Sequence, residues 1–289
     1  ALAFGEIHPR TILRDLADSA GHNVFRKEIA WREFYADVLF RNPNSLDDYY
    51  EPRFAQMRYD KGEDAERKLE AWKRGETGYP MVDAGMRQLL ADGWMHNRVR
   101  MIVASFLTKD LLIDWRWGEQ YFMQFLLDGD LASNALSWQW CAGTFSNKLY
   151  YANQENINRY TGSKQRGTFL DFEYEDLPLQ SPPEHLRSSV EASLPFTPPK
   201  SKPLELIDGI PSFIYTHYTL DPTFHEGEAG NRILVLEPSH FAKHPMSPKT
   251  IQFILDLAEN IPGIQVYYGE YSGLKVHGVF RDHPINAHF

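Results

Sequence analysis

Hydrophobic positions recur at helical spacing through the first half of the chain and cluster into short strand-like runs in the last third. Residues 63–74 are highly charged but carry Leu69 and Trp72 three apart, as on an amphipathic surface helix, and Gly75 with Gly78-Tyr79-Pro80 breaks the pattern. Residues 82–90 place Val82, Met86, Leu89 and Leu90 on one face before Asp92-Gly93 stops that helix. The span 96–115 is longer and more apolar and predicts a central helix. A further helix is predicted over 119–127, closed by Asp128-Gly129-Asp130. From 171 to 203 the texture changes, with Pro178, Pro182, Pro183, Pro195, Pro198 and Pro199 set in polar sequence, which predicts a linker or strap. Residues 232–237 then read as a buried strand. Residues 248–260 read as a helix with Ile251, Ile254, Leu255 and Ala258 inward, and 264–268 as a second strand. That is one βαβ crossover, too small for a full doubly wound domain. The expected fold is mostly α, helical over 1–170, with a linker at 171–204 and a small α/β region at 205–289.

Composition adds three constraints. Hydrophobic residues make up 43% of the 289, enough for a sizeable core, and seven Trp with fifteen Tyr supply rings that can pack, stack on flat ligands or carry electrons. The net charge of −9 argues against non-specific coating of nucleic acid but leaves room for a local basic patch. Cys141 is the lone cysteine, which excludes an intrachain disulfide and suits a reducing compartment. With no basic, then apolar, leader and no long apolar stretch, the expectation is a cytoplasmic monomer without a membrane span.

Three segments hold residues that can do chemistry. Glu28, Trp31 and Arg32 fall at i, i+3 and i+4, so one helix face joins a carboxylate, a ring and a cation. An ordinary surface ion pair beside a half-buried Trp has the same pattern. Asn97, Arg98 and Arg100 open an apolar helix. An inward Arg there needs a partner, for which Asp128 and Asp130 are candidates, while on this segment alone two surface arginines are the slightly favoured reading. Asp128-Gly129-Asp130, with Asn134 four residues on, brings carboxylates to a flexible backbone point that a ligand can approach. Read alone, it is more simply a helix end followed by a cap.

Together these pieces carry a resemblance. Trp31-Arg32-Glu33-Phe34-Tyr35, the run Thr77-Gly78-Tyr79-Pro80-Met81-Val82-Asp83 continuing to Leu89, Gly93-Trp94-Met95-His96-Asn97-Arg98, Ala104-Ser105-Phe106-Leu107 and residues 128–140 resemble, in order and spacing over 1–143, the flavin domain of class I cyclobutane-pyrimidine-dimer photolyases. The resemblance implies a helical domain of the photolyase/cryptochrome superfamily that holds FAD. Asp128, Gly129 and Asp130 match its acidic cofactor-binding run, Asn134 the Asn beside flavin N5, Arg100 the Arg near the isoalloxazine, and Asn97 a further cofactor neighbour. Glu28, Trp31, Arg32, Asn97, Arg98, Met101 and Trp140 match its DNA- and lesion-binding residues, where a pyrimidine dimer is flipped out of the duplex. Trp31 and Trp140 would stack on the bases, Glu28 would bond a base edge, and Arg32 and Arg98 would reach the DNA near its phosphates. Trp138 and Trp115 match the inner members of an electron-transfer chain, with Tyr59 standing where the outer Trp is usual. The implied activity is a lyase: blue-light repair of cyclobutane dimers by one electron lent from reduced FAD, with Glu28 and Asn134 as catalytic residues and damaged DNA as partner. No metal is implied.

Departures from that pattern suggest an alternative, a non-repair, cryptochrome-like light sensor or redox module. The sequence starts at a segment resembling the one just after the family's Ser/Thr-rich phosphate loop, so that loop and the upstream antenna domain are expected to be missing from it. Ala135-Leu136-Ser137 replaces the usual Asn-Gly-Gly. Residues 144–289, including Leu236-Glu237-Pro238-Ser239-His240-Phe241, resemble a different branch, photolyase-related FAD-binding-domain proteins.

Overall fold

The computed structural model describes residues 2–146, 150–152, 203–274 and 276, and the backbone of 278–280. The linker read from sequence at 171–204 lies almost wholly outside the described residues. The fold is mostly helical with one small parallel sheet. It divides into two compact units: one holds the described residues of Ala1–Ala36, Leu127–Asp130 and Ser193–Phe289, the other those of Asp37–Leu126 and Leu131–Ala192. The sequence reading had instead drawn boundaries at 170 and 204.

In the helical unit, α3 (Glu63–Arg74) and α4 (Pro80–Asp92) follow the apolar pattern closely. Gly75 and Gly93 end them in the left-handed conformation that glycine adopts without strain. Trp72, Val82, Met86 and Leu89 are fully buried, and the Trp72 indole N–H donates to the Val103 carbonyl at 3.1 Å. The Thr77–Asp83 part of the family-like sequence is structural. The Asp83 carboxylate accepts from the Thr77 and Gly78 backbone N–H groups, at 2.8 and 2.9 Å, and so ties the loop to α4.

The helix expected over 96–115 stops short of that span, and the one expected from 119 starts earlier. Helix α5 (Asn97–Ser105), capped by His96, runs into one π turn at Phe106–Asp110 and stops. Leu112 then takes a positive φ of 54°. Asp114 restarts the chain by accepting from the Arg116 N–H at 3.0 Å, so α6 spans Trp115–Phe125 instead of beginning at 119. Helix periodicity is blind to this break because apolar residues continue through it. Helix α7 is Leu131–Ala142, and it packs on α5 and α6.

The other unit contains α1 (Pro9–Asp15), most of α2 (Ala20–Arg41) and the sheet. Strands β1 (Ser212–Tyr215), β2 (Asn231–Leu236), β3 (Ile264–Tyr268) and β4 (Gly278–Phe280) are all parallel, in the order β3-β2-β1-β4. Helices α8 (Pro238–Lys243) and α9 (Pro248–Ala258) link β2 to β3. The βαβ element is therefore present, enlarged by β1 and β4. β1 is only four residues long, too short for a periodic signal, and β4 is shorter still. Alternate residues of β1 and β2 serve two cores. Phe213, Tyr215, Leu234 and Leu236 join Ile251 and Ile254 of α9, while Ile214, Ile233 and Val235 join Leu274. Burial on both faces explains the uninterrupted apolar run of β2. Phe4 belongs to the first core, and its carbonyl accepts from the Leu220 N–H at 2.8 Å. Gly5 is required beside it: a Cβ there would lie 2.4 Å from the Tyr218 carbonyl oxygen.

Candidate functional site

In the helical unit the candidate site is best built outward from Asn134. Its Nδ2 donates to the Glu119 backbone carbonyl at 3.0 Å and to Glu119 Oε1 at 2.8 Å. An amide nitrogen has two hydrogens, so both are spent on Glu119 and Oδ1 is left as the acceptor. Sequence alone allowed this amide to donate or accept; the fold commits it to accepting. Glu119 is 7% exposed, and burial pushes its carboxyl up to about 7, opposed by the Asn134 hydrogen bond. Sequence reasoning missed Glu119. The signal was there, since Trp115, Gly118, Glu119 and Phe122 are the buried stripe of α6 at i, i+3, i+4 and i+7. A carboxylate on such a stripe has to be bonded.

The aromatic residues form one buried array. Trp138, 3% exposed, meets Trp72 edge-on at 6.0 Å and Phe122 at 5.0 Å. It lies against Gly118, where a Cβ would come within 2.2 Å of the indole, so the ring touches α6 one turn beyond Trp115. Trp115 is fully buried and lies 6.3 Å from the Tyr49 ring, and the Tyr49 hydroxyl donates to the Tyr59 hydroxyl at 3.0 Å. The three residues read from sequence are thus accompanied by a fourth, Tyr49. Its loop is clamped by Gln139, which donates to the Ser45 and Asp48 carbonyls at 2.7 and 3.1 Å and accepts from the Tyr50 N–H at 2.8 Å.

The remaining sequence candidates of this unit are spread along α5 and α7. Asn97 is exposed. Arg98 approaches Met101 Sδ at 4.0 Å, and Arg100 Nε donates to the Met95 carbonyl at 2.6 Å. Trp140 is half-buried and tilts against Tyr150 at 5.2 Å. Ala135 and Leu136, where the family-like pattern departs, are fully buried, so the bulk that Leu136 adds is taken up inside the protein.

In the other unit, Glu28 and Trp31 are exposed on α2, the indole 54% so, with Phe34 and Tyr35 packed against it at 5.5 and 6.1 Å. Arg32 is held by Glu33 at 2.8 Å and by Asp130 at 3.4 Å, and the Arg32 and Asp130 side chains are only 16% and 15% exposed. The fold therefore brings together two residues that the sequence had placed in separate motifs. Asp128 is exposed and Gly129 half-buried.

A family model described as the FAD binding domain of DNA photolyase matches residues 25–170. The chain belongs to that family. The fold class and the FAD cofactor read from the sequence accord with it. The chain is 48% identical over 162 residues to the deoxyribodipyrimidine photo-lyase of Alkalihalophilus pseudofirmus, a match covering 55% of this chain and 33% of that protein. It is 55% identical over 128 residues to the enzyme of the same name from Vibrio cholerae, covering 44% of this chain and 26% of that one. A crystal structure of a class III photolyase from Agrobacterium tumefaciens aligns at 46% identity with a TM-score of 0.47, over 52% of this chain and 31% of that one. The chain thus spans about a third of the length of the relatives it matches. Among the described residues, no helix is long and apolar enough to cross a membrane.

Proposed function

We propose that this chain is the flavin-binding and electron-transfer part of a blue-light-dependent deoxyribodipyrimidine photolyase, a lyase that repairs cyclobutane pyrimidine dimers in DNA. The observation that carries the proposal is Asn134. With both amide hydrogens held by Glu119, it offers Oδ1 to a ring N–H, the group that a reduced isoalloxazine carries at N5 and an oxidised one lacks. The residues present fit FAD in that respect. When bound, FAD supplies the light-driven one-electron chemistry; the protein orients, shields and tunes it.

The side chains divide that work. Asn134 selects the protonated ring edge, and Glu119 fixes the amide so that it does not rotate. In the helical unit Asn97 and Arg100 are the further candidates for holding the cofactor; in the other unit Asp128, Gly129 and Asp130 are, with Arg32 neutralising Asp130. Trp138, Trp115 and Tyr59 pass electrons inward through a dry interior, where burial excludes water. The candidates for lesion binding are Glu28, Trp31 and Arg32 in the one unit and Asn97, Arg98, Met101 and Trp140 in the helical unit. The exposed indole of Trp31 suits stacking, and Glu28, one turn before it, suits a base edge. Arg32 is held by two carboxylates, so a phosphate would have to compete for it.

The reading is tested by an absorption spectrum of the purified protein and by repair of dimer-containing DNA under blue light. A flavin spectrum with light-dependent repair is expected. Flavin without repair would transfer the chain to the light-sensor or redox class, and a colourless protein that takes up no FAD would refute both. Trp31→Ala is expected to weaken lesion binding by about 1–3 kcal/mol, read as a dissociation constant.

A further inference from the structure

We infer that Tyr49, hydrogen-bonded to Tyr59, is the residue on which the oxidising equivalent leaving Trp115 comes to rest, so that photoreduction here ends in loss of a tyrosine proton. This rests on the electron-transfer reading of Trp138 and Trp115 given above.

The first ground is what Trp115 lacks. Its ring is fully buried and its Nε1–H has no hydrogen-bond partner among the described residues. An oxidised indole becomes a mild, neutral radical only by giving up that proton. Without an acceptor it stays a cation and a strong oxidant. The second ground is burial. Trp115 is fully buried and Tyr49 nearly so, and taking a cation on either ring out of water is costly. The Arg116 guanidinium, 5.6 Å from the Trp115 ring and 5.0 Å from the Tyr49 ring, is itself paired with Asp114 at 3.1 Å and Asp48 at 3.5 Å. The stable product is the one that sheds its charge.

Tyr49 can shed it. Its ring is the neighbour of Trp115 at 6.3 Å, and its hydroxyl already donates to Tyr59 Oη at 3.0 Å. Tyr49 gives one electron to the oxidised Trp115. Its hydroxyl proton moves to Tyr59 Oη as Tyr59 releases its own hydroxyl proton to water. Trp115 is restored, Tyr49 is left as a neutral tyrosyl radical, Tyr59 is unchanged, and one proton enters the solvent. The oxidant that starts the sequence is a photoexcited oxidised flavin. The Tyr49 side chain is buried and Tyr59 is partly exposed as a residue, so the proton's route to solvent runs through Tyr59 in this proposal. Gln139, between Trp138 and Trp140, clamps the loop on either side of Tyr49, so the Tyr49–Trp115 spacing is fixed by the same helix that carries Trp138. Tyr59 is thereby given a narrower role than the terminal donor read from sequence: it relays the proton.

The test is illumination of the FAD-loaded, oxidised full chain without added reductant, followed by transient absorption and electron paramagnetic resonance in H2O and D2O. The wild type should show a neutral tyrosyl signal whose formation slows in D2O. Tyr49→Phe should lose that signal and most of the long-lived photoreduction, because the buried Trp115 takes its electron back. Tyr59→Phe should keep a tyrosyl signal but form it more slowly. A Tyr49→Phe protein that retains signal and yield, while Tyr59→Phe loses both, puts the hole on Tyr59 and overturns the inference alone. A wild type that shows no light-induced aromatic radical overturns the electron-transfer reading with it. Both substitutions keep the ring, and retained flavin absorbance checks that the fold is intact.

Discussion

The two units bury titratable side chains of opposite kind, and desolvation pushes them to the same neutral state by opposite proton movements. In the helical unit Glu119 is raised from an ordinary 4.5 to about 7, so it tends to hold a proton. In the α/β unit burial lowers His217 from 6.5 to about 3 and His240 to about 4, with neighbouring imidazoles adding to the effect, so both lose theirs. The His217 and His240 rings lie 4.8 Å apart, and Nε2 of each is buried without a hydrogen-bond partner among the described residues. One physical cost, that of burying a charge, thus gives the two halves of one chain opposite responses to acid.

The largest effect that would separate the units is loss of core volume. Trp72→Ala removes the ring that packs Trp138 and Phe122 and is expected to destabilise the helical unit by about 3–5 kcal/mol. Hydrogen exchange should show lost protection in α3 to α7, with β1 to β3 much less affected. Equal loss in both would mean that they unfold as one body.

Acidification sharpens the contrast. Glu119 has a raised folded value, so its contribution is full below pH 4.5 and is lost as pH rises through 7. His217 has a lowered folded value, so its contribution is full above pH 6.5 and is lost as pH falls towards 3. Between pH 7 and 5 the helical unit should gain about 2 kcal/mol from Glu119 and the α/β unit should lose about 2 kcal/mol from His217. Hydrogen exchange corrected for its intrinsic pH dependence reads both at once, and slopes of the same sign would break the comparison.

Glu119→Gln isolates one side of it. Gln can still accept from Asn134 but cannot ionise, so the acid gain of the helical unit should disappear, at a cost of about 1 kcal/mol or less at pH 5. The smallest effect is expected at the half-buried Arg32–Asp130 pair. Asp130→Asn breaks the 3.4 Å contact to Arg32 but leaves Glu33 on it, and should cost about 1 kcal/mol or less in thermal stability. If Asp130 also holds the cofactor, flavin retention on dialysis will fall more than stability does.

Legibility followed locality. Helix α3 and strand β3 were readable to the residue because period and breakers sit within each segment. The position of the break between α5 and α6 was not readable, since one positive-φ residue and one capping Asp decide it inside an apolar run. The run from Asp128 to Trp140 stood out in the sequence, yet its working partners, Glu119 for Asn134 and Arg32 for Asp130, lie in other segments. Tyr49 and Gln139 carry no local mark at all; only the hydrogen bonds that fix their loop reveal them.

Sequence by itself determined the family, the cofactor and the mostly helical class, and it named candidates for the site, because these are written in periodicity and in ordered motifs. Tertiary structure decided that Asn134 accepts, that burial pushes Glu119 towards its neutral form and holds His217 in its own, that Asp130 is paired with Arg32, and that a tyrosine stands next to Trp115. Those properties depend on which groups are dried and which distant donors reach them, and solvent exclusion and hydrogen-bond geometry exist only once the segments have packed.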